Sequence, residues 1–232
     1  MESFFQNKME QYPIFINCRD RLTTTVNLVK WLESVGQERI YLVDNDSRYE
    51  PLLDWYKSTH HQVIYLNTNG GHLAPWSHGV IDKYARGQYY IATDPDVLPV
   101  DECPADALSY FHEMLQKYEL RTKCGFGLKI DDIPNHFAFK DKVLQHESQY
   151  HNWLGPESSI LFAPIDTTFA MYRPNAGPDI SASIRTKDPY LCRHLPWYVD
   201  TENPGEEEEY YVSRADQSIN SWSHKKAPGW LS

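Results

Sequence analysis

The chain has 232 residues, of which 41% are hydrophobic and 23% charged. This composition is typical of a globular protein and excludes a disordered or fibrous one, and the length predicts a single domain over residues 1–232. The net charge of −10 comes without a basic cluster larger than Lys225-Lys226. We therefore expect no nucleic-acid partner, because phosphates repel an acidic surface.

Membrane insertion and export are not indicated by the sequence. The mean hydropathy is −0.61, and no run approaches the roughly 18 apolar residues of a membrane span. Residues 1–8 lack the basic and apolar stretches of a signal peptide. The four cysteines are far apart and form no C-x-x-C pair, which fits reduced thiols rather than a zinc ribbon or redox pair. We expect a soluble cytoplasmic protein with no transmembrane segment.

Strand and helix patterns alternate along the first hundred residues. Short apolar runs predict strands, and apolar residues at helical spacing predict the helices between them. This order predicts an α/β fold with a mostly parallel sheet and helices on both faces. The predicted strands are 13–16, 39–43, 63–66 and 88–93, and the predicted helices are 22–35, 51–57 and 75–85.

The second half is less regular. The patterns predict helices at 105–117 and 140–153, and extended segments at 125–130 and 167–172. Proline, glycine and aspartate interrupt residues 174–189, where no regular element is predicted. The acidic run 206–209 predicts a solvated helix start or loop.

Polar clusters follow all four predicted strands of the first half. In parallel sheets the carboxyl ends of the strands meet at one edge, and ligands bind outside that edge. The sequence therefore predicts one site built from four strand-end clusters. These clusters are Asn17-Cys18-Arg19-Asp20-Arg21, Asp44-Asn45-Asp46-Ser47, Asn67-Thr68-Asn69-Gly70-Gly71-His72 and Asp94-Pro95-Asp96.

The fourth cluster has the pattern of a metal site. Asp94 and Asp96 flank a proline of fixed φ, and two adjacent carboxylates repel each other unless a cation lies between them. A hard divalent ion that also binds phosphate oxygens, Mn²⁺ or Mg²⁺, suits this arrangement. A helix N-cap remains the alternative. His194 or His224 is a candidate to complete the metal site, with ordinary packing as the alternative.

The order of these motifs over residues 13–100 resembles that of GT-A glycosyltransferases, especially the family-2-like type. Residues 130–134, 166–173 and 193–198 resemble more loosely a small group of such enzymes from viruses and microbes. The family transfers a sugar from a nucleotide-sugar to an acceptor. The resemblance implies a GT-A fold, a UDP-sugar donor, a carbohydrate or glycoconjugate acceptor, and a DXD motif that binds Mn²⁺ or Mg²⁺.

The resemblance also implies roles for individual residues. It implies that residues from about 13 to 100 form the nucleotide-sugar-binding half and that residues from about 101 to 232 form the acceptor-side half. The chain departs from the family at residues 74–77, where an Arg-Asn pair often stands. The implied nucleotide-sugar-binding residues are Asn17, Cys18, Arg19, Asp44, Asn69, Gly70, Asp94 and Pro95, and the implied metal ligands are Asp96, Asp94 and His194.

An inverting transfer needs a carboxylate that deprotonates the acceptor hydroxyl. Asp166 is favoured because it precedes a predicted strand, which is a rigid mount. Asp131 and Asp132 follow another extended segment and remain candidates for the same catalytic role. For all three, the alternative is a turn or cap residue.

Three other functions are alternatives to the transferase. A nucleotidyltransferase would have a glycine-rich loop after the first strand, and a dinucleotide-binding oxidoreductase would have G-x-G-x-x-G there. At that place the chain has Asn17-Cys18-Arg19-Asp20-Arg21, which matches neither pattern. A non-catalytic module that binds carbohydrate or a nucleotide-sugar stays open, because aromatic residues make up 14% of the chain.

Overall fold

The computed structural model of the protein describes residues 10–166, 168–215, 222–223 and 225. Elements are numbered in chain order. The strands are β1 Ile14–Cys18, β2 Ile40–Asp44, β3 Gln62–Tyr65, β4 Tyr90–Thr93, β5 Val97–Pro99, β6 Lys123–Gly125, β7 Gly127–Leu128, β8 Ile160–Leu161, β9 Ala170–Tyr172, β10 Ser183–Thr186 and β11 Leu191–His194. The helices are α1 Leu22–Ser34, α2 Glu50–Ser58, α3 Ala74–Ser77, α4 Val80–Tyr84, α5 Ala107–Lys117, α6 Lys140–Ser148 and α7 Glu206–Arg214.

The large sheet has eight strands in the order β3-β2-β1-β4-β9-β6-β10-β8. Strands β3, β2, β1 and β4 are parallel neighbours, which confirms the α/β fold predicted from the first hundred residues. Strand β9 enters between β4 and β6 and is antiparallel to both. A second sheet has three strands in the order β5-β11-β7, in which β11 is antiparallel to β5 and parallel to β7.

Strand β1 is buried along its whole length. Ile14 and Ile16 belong to a core cluster with Leu28 of α1 and Phe111 of α5. Phe15, which points to the other face, belongs to a second cluster with residues of α4 and β9. Apolar residues on both sides of a parallel strand are expected when helices cover both faces of the sheet.

Several predicted elements differ from those in the structure. The predicted helix 75–85 is two short helices, α3 and α4, because Gly79 between them adopts a left-handed φ of 68°. The predicted extended segment 125–130 contributes to two strands in different sheets. Strand β10 lies inside 174–189, where no element was predicted, and Thr167 lies outside the described residues.

Gly125 in β6 allows two strands to approach closely. A Cβ atom at this position would lie 2.2 Å from the Phe169 carbonyl oxygen and 2.8 Å from the Ala170 Cα. We expect Gly125→Ala to lower the free energy of unfolding by about 1–3 kcal/mol, because the backbone has to shift. Gly177→Ala is the matched control, since nothing lies within 4 Å of its added Cβ. Equal denaturation midpoints for the two variants would contradict this packing.

Among the helices in the described part of the chain, none combines the length and apolar character needed to cross a bilayer.

Candidate functional site

A cavity of about 370 Å³ opens at the carboxyl edge of the parallel strands. Residues from all four strand-end clusters line it, which confirms that these clusters converge. They include Asn17, Arg19 and Arg21 after β1, Asn45 after β2, Asn69, Gly71 and His72 after β3, and Asp94, Pro95 and Asp96 after β4.

Amide side chains hold the loop after β3 against the end of β2. The Asn45 Oδ1 atom accepts a 2.7 Å hydrogen bond from the Gly70 N–H, and its Nδ2 donates to the Gly71 carbonyl at 2.9 Å. Asn17 Nδ2 donates to the same carbonyl at 3.2 Å. Arg19 donates to the Asn45 carbonyl at 2.8 Å. One wall of the cavity is therefore fixed by hydrogen bonds between three clusters.

Arg21 is a buried cation at the cavity, with a side chain 4% exposed. Its Nη1 lies 2.6 Å from Glu208 Oε2, and its Nε lies 3.7 Å from Asp96 Oδ2. The guanidinium also lies 3.9 Å from the centre of the Tyr211 ring. Burial opposes the charge, but Asp96 and Glu208 outweigh it and raise the pKa of Arg21. The sequence placed Arg21 in the first strand-end cluster but gave no indication of its ion pairs with Asp96 and Glu208.

The prediction of a solvated acidic run at 206–209 is wrong for one residue. The run does begin helix α7, but Glu208 is buried and pairs with Arg21. Glu209, its neighbour, is exposed. The missed signal is helical spacing, because Glu208 and Tyr211 lie three residues apart on one face of α7 and both contact Arg21.

Glu208→Ala tests this buried pair. We expect it to lower the free energy of unfolding by about 3 kcal/mol, because a buried cation then loses the nearer of its two carboxylates. Glu209→Ala removes an exposed carboxylate from the same helical turn, and we expect a change within about 0.5 kcal/mol. Urea denaturation of both variants measures the difference. Equal loss in the two variants would show that the buried pair does not stabilise the fold.

Strand pairing places His194 beside Asp96. Strand β5 begins directly after Asp96 and pairs with β11, where His194 lies opposite Val97. The His194 Nε2 atom lies 4.0 Å from Asp96 Oδ1. Burial lowers the pKa of His194, against the opposing effect of Asp96. Within the described residues, its Nδ1 atom has no hydrogen-bond partner.

Of the three predicted metal ligands, Asp96 and His194 lie close together. Asp94, Asp96 and His194 all belong to the site, but within the described residues they do not bring three ligand atoms within 4.8 Å of one another. Asp96 offers the oxygen ligand that Mg²⁺ or Mn²⁺ prefers, with phosphate and water completing the shell of such an ion. The His194 imidazole beside it suits Mn²⁺ rather than Mg²⁺, because Mg²⁺ takes oxygen ligands. Arg21 would share the Asp96 carboxylate with such an ion. His224 lies outside the described residues.

The three candidate bases occupy different places. Asp166 lines the cavity and is exposed. Its backbone carbonyl accepts a 3.2 Å hydrogen bond from Lys123 Nζ, and burial lowers the pKa of Lys123 to about 8 although Asp166 opposes the shift. Asp131 and Asp132 do not line this cavity. Asp131 pairs with a lysine, while Asp132 is held by Arg193 and Tyr198.

A second ion pair at the cavity was not predicted. Glu147 of α6 and Arg185 of β10 are both buried, with 2.5 Å between Glu147 Oε2 and Arg185 Nη1. Arg185 also donates from Nε to the Pro164 carbonyl at 2.6 Å and lies 4.3 Å from the centre of the Tyr150 ring. The pair comes from the second half of the chain, and Arg185 lies in a strand that no sequence pattern indicated.

Three residues predicted to bind the nucleotide do not line the cavity: Cys18, Asp44 and Gly70. Cys18 lies in the apolar core, where burial raises the pKa of its thiol to about 12. Asp44 is also buried, and this burial raises its pKa although Ser47 donates hydrogen bonds to it. Gly70 supports the loop through its backbone. The side chains of Cys18 and Asp44 are therefore not placed to contact a nucleotide in the cavity. For Gly70 the resemblance implies only a backbone approach to the nucleotide, which stays a prediction.

The chain was compared with known proteins at three levels. No protein-family model matches it, and no curated protein does. Among solved structures it is similar to the crystal structure of a mycobacterial protein, with 11% identity and a TM-score of 0.44 over 87% of this chain and 70% of that chain. A similarity of this size identifies neither a shared family nor a shared function.

Proposed function

We propose that the chain is a metal-dependent, inverting glycosyltransferase that takes its sugar from a nucleotide-sugar, with UDP-sugars as the donor class. One observation carries the proposal. The cavity at the carboxyl edge of the parallel strands joins Asp94-Pro95-Asp96 to Arg19 and Arg21, so acidic and basic groups lie side by side. A diphosphate bridged to a divalent cation needs this combination of charges.

The chemistry of donor cleavage fits the charges of the cavity. When the bond between sugar and phosphate breaks, negative charge develops on the departing nucleoside diphosphate. Arg21 is a fixed cation on the cavity wall, held by Glu208 and Asp96 before any ligand enters. A bound Mn²⁺ or Mg²⁺ supplies further charge neutralisation to the leaving group, and Asp96 and His194 are the residues that would hold it.

The acceptor side is assigned to the part of the cavity that carries Asp166. Asp166 is an exposed carboxylate on this cavity, and it is the proposed base for the acceptor hydroxyl. Lys123 fixes its backbone, so the carboxylate sits on a restrained segment. Glu147 and Arg185 line the same cavity as an ion pair, and we assign the atoms that the pair does not use to hydrogen bonds with acceptor hydroxyls.

A non-catalytic binding module is the second candidate. Four aromatic side chains line the cavity, and aromatic faces pack against the apolar faces of sugar rings. They are Tyr150, Trp197, Tyr211 and Trp222. This lining favours carbohydrate binding but does not require transfer.

Calorimetry with UDP and a panel of UDP-sugars, with and without Mn²⁺, tests the proposal, and donor hydrolysis without acceptor is then measured. Mn²⁺-dependent binding with turnover supports the transferase. Donor binding without turnover, in the presence of a panel of sugar acceptors, favours the module. Failure of every nucleotide to bind would contradict the transferase.

A further inference from the structure

A second group of metal-ligating side chains lies away from the cavity. Glu33 is next to last in α1, and His60 and His61 precede β3, so the three meet at the amino edge of the parallel strands. Within the described residues, this is the group of three His, Cys, Asp or Glu residues whose ligand atoms all lie within 4.8 Å of one another. We propose that Glu33, His60 and His61 form a zinc-binding site.

The distances match those of one coordination sphere. Glu33 Oε1 lies 3.0 Å from His61 Nε2 and 3.5 Å from His60 Nε2. Ligands about 2.0–2.1 Å from a tetrahedral zinc ion are separated from each other by roughly 3.3 Å. The same carboxylate oxygen therefore lies at ligand spacing from both imidazoles. Little movement is needed to place an ion between the three atoms.

The fold holds part of this site in place. The His61 side chain is 2% exposed and the Glu33 side chain 39% exposed, whereas that of His60 is 79% exposed. The His61 backbone N–H donates to Thr59 Oγ1 at 3.3 Å, which ties the dipeptide to the end of α2. Two ligands are thus anchored, and His60 is free to adjust as the ion enters.

Helix ends add a favourable field. Helix α1 ends at Ser34 and helix α2 ends at Ser58, so both carboxyl-terminal poles lie next to ligand residues in the sequence. The carboxyl-terminal end of a helix carries a partial negative charge and favours a cation nearby. The site therefore combines one carboxylate with two helix termini.

The donor set selects the class of metal. Imidazole nitrogens suit zinc, copper and nickel, whereas Mg²⁺ and Ca²⁺ take oxygen ligands. Two histidines and one glutamate leave a fourth tetrahedral position for water. The site is therefore separate in place from the pair Asp96 and His194 and has two imidazoles rather than one, and it does not depend on the proposed transferase activity.

Zinc binding by the full chain tests the proposal. The protein is stripped with a chelator and equilibrated with Zn²⁺ in excess Mg²⁺, and bound zinc is measured by equilibrium dialysis. We expect His60→Gln and Glu33→Gln each to lower the zinc affinity of one site by more than about 100-fold. Changing a residue that only orients a ligand costs roughly 10–100-fold in metal affinity, so a larger loss identifies a ligand. His151→Gln and Glu38→Gln, at exposed positions elsewhere, should bind zinc as the unchanged chain does.

Two results would overturn the proposal. One is the absence of a zinc site in the unchanged chain. The other is zinc binding that survives His60→Gln and Glu33→Gln but is lost in Asp96→Asn, which would place the ion in the cavity. Because His60 is exposed, its variant is expected to fold, and circular dichroism checks this before dialysis. Co²⁺ supports the assignment if the unchanged chain, but not His60→Gln, gives the intense visible bands of a four-coordinate ion.

Discussion

Asp96→Asn is expected to remove the Mn²⁺-dependent part of UDP binding. The carboxylate lies 4.0 Å from His194 Nε2 and lines the cavity, and its amide replacement cannot supply the negative charge that a divalent ion requires. Loss of one charge-assisted contact of about 1.5–3 kcal/mol corresponds to a decrease in affinity of about 10–150-fold. Calorimetry with UDP in Mn²⁺ measures the change.

The control for this variant is Asp54→Asn, which removes an exposed carboxylate on α2. It should leave UDP affinity unchanged. We expect Asp96→Asn to fold, because Arg21 keeps Glu208 as a partner when Asp96 is changed. A lower UDP affinity then reports on metal binding and not on folding. The assignment of Asp96 as a metal ligand fails if Asp96→Asn binds UDP in Mn²⁺ as tightly as the unchanged chain.

Asp166→Asn is expected to slow sugar transfer by about 10²–10⁴-fold, the usual contribution of a general base. The variant keeps the size of the side chain and the backbone carbonyl that Lys123 binds, so donor affinity should change little. Steady-state kinetics with a saturating donor give kcat, and calorimetry gives donor affinity.

Asp132→Asn is the matched control, since Asp132 is bound to Arg193 and Tyr198 outside the cavity. It should retain transfer activity. Loss of activity in Asp132→Asn together with full activity in Asp166→Asn would move the base to the other site. Full activity in both variants would mean that the reaction uses neither carboxylate as a base.

The parallel half of the sheet was predictable because its signals are local. Strand β1 is apolar on both faces, and helix α1 begins at Leu22 as its pattern predicts. Strand β9 was harder to place because its antiparallel position between β4 and β6 depends on long-range pairing. Strand β10, inside a segment rich in chain-breaking residues, is stabilised by its neighbours β6 and β8.

At the site, too, local signals were predictable and long-range contacts were not. Position at a strand end correctly brought Asn17, Asp94 and Asp96 to one cavity. It failed for Cys18, because adjacent side chains of a strand point to opposite faces and Cys18 faces the core. Arg21 and Glu208 are far apart in the sequence, so no local pattern indicates that they form a buried pair.

The sharing of Arg21 between two carboxylates connects helix α7 to the cavity by thermodynamic linkage. A cation that takes Asp96 as a ligand weakens one of the two ion pairs of Arg21 and leaves Glu208 as its main counter-charge. Cation binding and the packing of α7 on Arg21 are therefore linked equilibria. The free energy by which a bound cation strengthens the packing of α7 equals the free energy by which packed α7 strengthens cation binding. Amide hydrogen exchange in α7 should therefore slow when the cavity is filled, because local opening of the helix then becomes more costly.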